Sequence, residues 1–218
     1  MTWGAGKRVL LVGGGSSHDF EKFFNGADVA TLNAAGDLAP VYTADLGTAL
    51  RALPEAEVLV LSTNQKEFGA ASWRAALARH LAAGRGLILL HPGTWRVHAD
   101  WPEYETAIAG ALANSHPKLA PVEITVTNPA HPIMQGVSPT FTVTDELYQV
   151  TVRPGSIPIE VLAQTNVSPG DQQRHPSVWI AQHPTARVVG LALGHDASSH
   201  DSPDYQRILT QAVRWVAP

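Results

Sequence analysis

The sequence predicts a single three-layer α/β domain over residues 1–218. Three observations predict it. Three continuous apolar runs in the N-terminal half have the composition of strands buried on both faces. An amphipathic segment lies between two of these runs, as in a strand–helix–strand unit with parallel strands. Segments of the C-terminal half alternate polar and apolar residues, which is typical of half-exposed strands.

The N-terminal half predicts three strands and one clear helix. The strands are residues 9–12, 58–61 and 86–90. The helix spans residues 69–83, has apolar residues at every fourth position and is closed by Gly84. Because the crossover between the second and third strands is short, these two strands are predicted to be parallel neighbours.

The C-terminal half predicts further strands and a final helix. The strands are residues 122–127, 141–144, 159–163, 177–182 and 187–193. The helix spans residues 203–216, where Pro203 suits the first turn and apolar residues form a stripe along one side.

The composition excludes several classes of function. The net charge is −4, so neither nucleic acid nor an anionic membrane is an expected partner. The absence of cysteine excludes a disulfide framework, a thiolate metal site and a thiol nucleophile. No apolar stretch approaches the roughly 20 residues of a membrane span, and the N-terminus lacks the pattern of a signal peptide. We therefore expect a cytoplasmic protein with a small, neutral partner.

Three histidines follow predicted strands. His18 lies shortly after the first strand, His91 directly after residues 86–90 and His195 after the last strand. In open parallel sheets, ligands bind beyond the carboxyl ends of the strands, so these side chains are predicted to converge. Each one alone could simply hydrogen-bond a loop carbonyl, but their shared position favours a common site.

Further polar candidates come from two loops. His116 lies in the loop after a helix that starts near Trp101, and Asp145 and Glu146 follow the strand at residues 141–144. Imidazoles and carboxylates together suit acid–base chemistry or a metal site. The alternative is that the two adjacent acids are merely solvated.

Glycines and aromatic residues are the candidates for substrate binding. Gly13 and Gly14 permit a tight turn and close backbone approach, which suits an anion or a sugar hydroxyl, but they do not form a dinucleotide fingerprint. Trp95, Trp101 and Tyr148 stand beside polar residues, as aromatic side chains do in sugar sites. Core packing explains these aromatic residues equally well.

The ordered set of motifs resembles the ThuA-like (trehalose utilisation) family over roughly residues 7–217. Each motif is weak alone, but the set in this order is specific. The motifs are Val12-Gly13-Gly14 with His18-Asp19-Phe20, residues 86–90 with His91, Asp100-Trp101-Pro102-Glu103-Tyr104 before Gly110 and His116, His131-Pro132-Ile133 with Gly136, Asp145-Glu146-Leu147-Tyr148, Gly194-His195 and Arg214-Trp215.

This resemblance implies the fold of class I glutamine amidotransferases, a flavodoxin-like three-layer sandwich with a mostly parallel central sheet and helices on both faces. It also implies bacterial sugar catabolism, with a disaccharide or an oxidised keto sugar as the substrate. His91 would stand at the elbow that holds the nucleophilic cysteine of amidotransferases, and His195 near their catalytic histidine. Because the chain has no cysteine, amidotransferase activity is excluded. The family's Gly-x-Gly-Arg turn is replaced by His-Pro-Thr-Ala-Arg at residues 183–187, so that hairpin is expected to differ.

Two classes of function follow from these candidates. In the leading hypothesis the chain is an enzyme of sugar metabolism, and its catalytic residues are His18, His91, His116, Asp145, Glu146 and His195. Either His91, His116 and His195 hold Zn, Mn or Fe, which polarises a carbonyl or activates water, or a histidine–carboxylate pair moves protons without a metal. The alternative is a non-catalytic sugar-binding or regulatory module. In both cases the partner is a small sugar, and homo-oligomers are common for such folds.

Overall fold

The three apolar runs form the parallel centre of a nine-stranded sheet in the computed structural model, which describes residues 2–218. Successive residues of the first strand, β1 (Lys7–Gly14), face opposite sides of the sheet. Val9 and Leu11 belong to one apolar core, whereas Leu10 and Val12 belong to the other. A strand that is buried on both faces has no polar side, which explains its continuous apolar run.

The remaining strands form the rest of this sheet and one short ribbon. In chain order they are β2 (Leu38–Thr43), β3 (Val58–Thr63), β4 (Gly86–Leu90), β5 (Leu112–Ala113), β6 (Ala120–Val126), β7 (Thr140–Asp145), β8 (Val150–Thr151), β9 (Ile159–Thr165), β10 (Pro176–Ala181) and β11 (Val188–Leu191). The order in the sheet is β2-β1-β3-β4-β11-β10-β9-β6-β7, while β5 pairs with β8. The predicted parallel neighbours at residues 58–61 and 86–90 are confirmed as β3 and β4.

Helices cover both faces of the sheet, as predicted. They are α1 (Val29–Ala34), which continues a π-helical segment (Glu21–Asp28), α2 (Leu46–Ala52), α3 (Ala71–Ala82), α4 (Ala197–His200) and α5 (Pro203–Val216). A π-helical turn spans Tyr104–Ala109, and 3₁₀ turns lie at Lys66–Gly69, His91–Thr94 and Pro132–Met134. Leu32 of α1 and Leu209 of α5 lie in one core, and Ala49 of α2 and Leu77 of α3 lie in the other. Among residues 2–218, no helix has the length and apolar character needed to cross a membrane.

The central sheet is mixed. Parallel pairs join β2, β1, β3, β4 and β11, whereas antiparallel pairs join β11, β10, β9, β6 and β7. Seven of the nine strands still run in one direction, because the antiparallel pairing reverses only β10 and β6. The prediction of a mostly parallel sheet therefore holds for strand direction. It omitted the antiparallel half, where hairpin-type connections replace helical crossovers.

The antiparallel half curls back towards the parallel half. The backbone N–H of Thr144, in β7, donates a hydrogen bond to Ser198 Oγ at 2.8 Å. Ser198 lies in α4, the helix that follows β11, although β7 and β11 are four strands apart in the sheet order. The residues that follow β7 are thereby brought to the carboxyl edge of the parallel strands, where the site forms.

Candidate functional site

Three histidines meet at the carboxyl edge of the parallel strands. His18 lies in the loop after β1, His91 starts the turn after β4 and His195 follows β11. The ring centroid of His18 lies 4.8 Å from that of His91 and 4.8 Å from that of His195. Because β1, β4 and β11 are parallel members of one sheet, their carboxyl ends deliver these side chains to the same place.

Glu146 joins the histidines from the end of β7. Its Oε2 lies 3.2 Å from His195 Nδ1 and 3.7 Å from His91 Nε2. Its Oε1 lies 3.5 Å from His116 Nε2. The carboxylate is half-buried, and both of its oxygens face imidazoles.

Four of these residues form a compact set of possible metal ligands. One ligand atom from each of His18, His91, Glu146 and His195 lies within 4.8 Å of all the others. His116, which the sequence analysis placed in the metal set, is outside this group. Its Nε2 lies near Glu146 Oε1, the oxygen that faces away from the other histidines, and its Nδ1 donates to the carbonyl oxygen of Pro117 at 2.8 Å.

His91 is fully buried and has a strained backbone. Its φ angle is 38°, in the left-handed region that residues other than glycine rarely adopt. Its Nδ1 donates to the carbonyl oxygen of Ala192 at 2.7 Å, and its Nε2 lies 3.0 Å from His18 Nε2. The ring stacks on Tyr148, with centroids 4.4 Å apart. The strained turn thus aims Nε2 into the cluster and fixes the ring plane.

The electrostatics of the cluster keep Glu146 ionised and His18 neutral. Burial raises the pKa of Glu146, but the interaction with His91 and the nearby imidazoles of His195 and His116 outweigh it and lower the pKa to about 2. Burial, together with the neighbouring His91 and His195, lowers the pKa of His18 to about 3. At neutral pH the site therefore holds one carboxylate charge beside an uncharged imidazole.

A cavity of about 220 Å³ opens onto this cluster. It is lined by Ser17, His18, Asn64, Pro92, Trp95, His116, Glu146 and Tyr148. Trp95 lies against His116 and Tyr148, with ring centroids 5.4 and 5.0 Å away. One wall is therefore aromatic and the floor is polar. The volume is below the ~300–1,000 Å³ of sites for drug-sized ligands, which corresponds to a small ligand or to one end of a larger one.

Three cavity residues, Asn64, Ser17 and Pro92, were not predicted. Asn64 follows β3, and its Nδ2 donates to Ser17 Oγ at 2.7 Å. The same rule that identified the histidines, a polar residue just past a buried strand, would have found Asn64. Ser17 precedes His18, and its Oγ lies 2.6 Å from His18 Nδ1.

Asp145, which the sequence analysis placed among the catalytic residues, does not line the cavity. It is fully buried and accepts hydrogen bonds from the N–H groups of Glu146 and Gly194, at 2.7 and 2.8 Å, and from the hydroxyl of Ser199. Successive residues at a strand end point in different directions, which is why Glu146 enters the site and Asp145 does not. Asp145 instead ties the backbone of Glu146 to the residue before His195.

Three predicted substrate-binding residues also lie away from the cavity. A Cβ at Gly13 would come within 2.5 Å of the Tyr42 ring, and one at Gly14 within 2.9 Å of Gln65. The two glycines thus make room for these neighbouring side chains, and neither lines the cavity. Trp101 is only 7% exposed and packs against Tyr104 in the core, because the loop before the Tyr104–Ala109 turn folds inward.

A second buried polar group supports the site from behind. His200 Nδ1 lies 2.7 Å from Asp28 Oδ1, and His200 Nε2 donates to the carbonyl oxygen of Gly194 at 3.1 Å. The Tyr205 hydroxyl donates to Asp28. Gly194 is consequently held through its N–H by Asp145 and through its C=O by His200. The sequence analysis did not identify this group, since its members lie far apart in the chain.

Comparison with known proteins places the chain among relatives of one family. A sequence model of the ThuA family, described as trehalose utilisation, matches residues 8–216. A ThuA-like protein of Parabacteroides merdae has a similar structure, with a TM-score of 0.83, 16% identity and coverage of 97% of this chain and 90% of that one. A ThuA-like protein of Bacteroides uniformis gives 0.79 and 19%, with coverage of 97% and 92%. No curated protein matches the chain in sequence.

The fold also extends to glutamine-hydrolysing domains. The glutaminase domain of CTPS from Trypanosoma brucei is similar over 95% of this chain and 94% of its own length, with a TM-score of 0.58 and 11% identity. This likeness concerns the fold alone. It agrees with the amidotransferase-like architecture that the sequence predicted.

Proposed function

This chain belongs to the ThuA family, described as trehalose utilisation, and from that membership we propose that it is an enzyme acting on a disaccharide or an oxidised keto sugar. One observation carries the proposal: beside a small, partly aromatic cavity, Oε1 of Glu146 faces the imidazole of His116 and Oε2 faces that of His195. A carboxylate paired with histidines supplies a proton acceptor and the charge that stabilises it once protonated. The proposal includes a cytoplasmic location, which fractionation of the native cells tests.

His116 is the best-placed proton acceptor for such a substrate. Its Nδ1 carries the proton donated to Pro117 O, so Nε2 presents a lone pair towards the cavity when the ring is neutral. In a keto sugar, the C–H bond beside the carbonyl breaks and its proton moves to Nε2. The electron pair of that bond forms the C=C bond of an enediolate, while the π pair of the carbonyl moves onto its oxygen. The adjacent Glu146 carboxylate then stabilises the imidazolium.

The cavity favours recognition of one sugar ring. At about 220 Å³ it would enclose a single ring and leave the second ring of a disaccharide in the solvent. Trp95 and Tyr148 would contact the apolar face of that ring, while Asn64 and Ser17 would bind hydroxyls.

Hydrogen–deuterium exchange tests this proposal directly. Trehalose oxidised to the ketone at one ring hydroxyl is incubated with the protein in D₂O, and exchange beside the carbonyl is followed by NMR. We expect His116→Asn to slow exchange at least about 100-fold, the lower range for a general acid–base residue. His183→Asn is the matched control, because His183 lies before β11, at the opposite end of the sheet. Equal exchange by His116→Asn and the wild type would contradict the proposed role.

The aromatic wall favours a second candidate, a sugar-binding module without catalysis. Trp95 and Tyr148 would provide affinity by themselves in that case. Titration of trehalose, followed by tryptophan fluorescence, distinguishes the two functions. Loss of binding in Trp95→Ala, with no turnover of any keto sugar by the wild type, would favour the module. Retained binding with lost turnover in His195→Ala would favour the enzyme.

A further inference from the structure

We propose that His18, His91, His195 and Glu146 form a binding site for one divalent transition-metal ion. This inference deepens the proposed function by naming a cofactor for the same site, and the experiment below separates the two. The donor set of three imidazole nitrogens and one carboxylate oxygen, with no thiolate in the chain, suits Zn²⁺ and Fe²⁺ better than Mg²⁺ or Ca²⁺.

The spacing of the donors matches that of metal ligands. The three measured separations are 3.0 Å between the Nε2 atoms of His18 and His91, 3.7 Å from His91 Nε2 to Glu146 Oε2, and 3.2 Å from His195 Nδ1 to the same oxygen. Bonds of about 2.0–2.1 Å place neighbouring ligands of a tetrahedral ion roughly 3.3 Å apart. All four donors lie within 4.8 Å of one another. A pair at that limit has to close by about 1.5 Å to become neighbours on a tetrahedral ion, or by about 0.7 Å to take opposite positions roughly 4.1 Å apart in a site of higher coordination number.

The outer hydrogen bonds orient the donors inward. His91 Nδ1 must carry a proton, because its partner, the carbonyl oxygen of Ala192, can only accept. The neutral ring of His91 therefore directs a lone pair from Nε2 into the cluster. His18 Nδ1 lies 2.6 Å from Ser17 Oγ, a hydroxyl that can either donate or accept, and its Nε2 is turned inward. A ligand histidine whose other nitrogen is fixed by a hydrogen bond is the usual arrangement at metal sites.

The cluster leaves one inward donor without a hydrogen bond. His195 Nδ1 is buried and has no hydrogen-bond partner among residues 2–218, although Glu146 Oε2 is near. Burying an unpaired polar atom is unfavourable. A single cation at the centre would satisfy His195 Nδ1 and both inward Nε2 atoms at once. A proton shared between His18 and His91 satisfies only that pair.

The ligands are held rigidly before any ion arrives. Asp145 fixes the backbone of Glu146 and of Gly194, the residue before His195. His200 fixes Gly194 from the other side. Positions held by buried hydrogen bonds keep the donors close to their binding geometry, which favours a specific site over a loose surface cluster.

His116 provides the discriminating test, because it touches Glu146 without belonging to the four donors. We expect tag-free protein, treated with a chelator and dialysed, to bind one equivalent of Co²⁺ with visible d–d absorption, and one equivalent of Zn²⁺ by calorimetry. His18→Ala and His195→Ala should each weaken binding at least about 100-fold, since loss of an outer-shell partner alone costs 10–100-fold. His116→Ala removes only a contact of the ligand Glu146, so it should weaken binding by no more than about tenfold, the lower limit for an outer-shell partner. The surface control His183→Ala should leave binding unchanged.

Two results would overturn the inference: no saturable binding of either ion by the wild type, or an equal loss of binding in His116→Ala and His195→Ala. Folding of each variant is checked by circular dichroism. The wild-type titration decides the question even where a variant is unstable. If the ions do not bind but His116-dependent exchange on the keto sugar persists, the metal site is wrong and the proposed function stands. If one ion binds but no exchange occurs, the metal site stands and the proposed function is wrong.

Discussion

Replacing Asp145 by asparagine should destabilise the protein through the backbone of the site. The carboxylate is fully buried and accepts three hydrogen bonds, two on Oδ2 from Gly194 N–H and Ser199, and one on Oδ1 from Glu146 N–H. Asparagine has the same shape but only one acceptor oxygen. In its best orientation the amide oxygen keeps the two bonds of Oδ2, and the NH₂ group faces the N–H of Glu146.

The expected loss follows from that geometry. One hydrogen bond to a charged group disappears, which contributes about 1.5–3 kcal/mol, and a buried backbone donor is left unpaired. We therefore expect Asp145→Asn to lower the free energy of unfolding by about 2 kcal/mol. With a urea m-value of about 3 kcal/mol/M for a chain of this size, the midpoint falls by about 0.7 M.

Urea unfolding followed by circular dichroism measures this shift. Asp201→Asn is the matched control, because Asp201 is exposed and its carboxylate has no hydrogen bond among residues 2–218; its effect should stay within about 0.5 kcal/mol. Amide hydrogen exchange should also accelerate in Asp145→Asn, most at Glu146, which loses its acceptor, and less at Gly194, whose acceptor loses its charge. A midpoint equal to that of the wild type, with unchanged exchange at both amides, would refute the role assigned to Asp145.

Three further predictions concern other buried groups. Glu105→Gln should lower the free energy of unfolding by about 3 kcal/mol, because this buried carboxylate pairs with two arginines; thermal unfolding checks it. Gly93→Ala should lower the free energy of unfolding by about 3 kcal/mol, because a Cβ would lie 2.1 Å from a backbone carbonyl oxygen. Gly36→Ala, at φ +77° in open space, should lower it by only about 1 kcal/mol. Urea unfolding of both variants compares the two effects. Burial lowers the pKa of His200, but the charge and hydrogen bond of Asp28 raise it above 6.5 overall. Protonated His200 therefore contributes to the free energy of unfolding below pH 6.5, and this contribution is lost as the pH rises through the pKa of the folded state. Unfolding free energies at pH 6 and pH 9 should therefore differ less in His200→Gln than in the wild type.

The sequence predicted the elements whose residues are buried on both sides. The runs at residues 58–61 and 86–90 read as strands because a central strand has no polar face. β2 was not predicted because it pairs only with β1, at the sheet edge. An edge strand tolerates Pro40 and partly exposed residues, and both weaken the strand signal.

The site could be predicted only as far as strand direction determines it. The meeting of His18, His91 and His195 follows from their places after parallel strands. The position of Glu146 depends on how far the antiparallel half curls, which no local pattern encodes. Trp101 was placed wrongly for another reason. An aromatic residue in a loop has the same sequence pattern whether it lines a cavity or fills the core.

The late position of β11 in the chain has a consequence for biosynthesis. β4 ends at Leu90, yet its sheet neighbour β11 begins only at Val188. During synthesis from the N-terminus, β4 can pair with β3 on one side, but its other edge therefore stays unpaired until β11 has left the ribosome. A product that stops before Val188 would expose this edge and also lack His195. The strand that completes the histidine cluster thus also protects the chain from edge-to-edge association, so chains that stop before it would lack the complete cluster and be prone to aggregate.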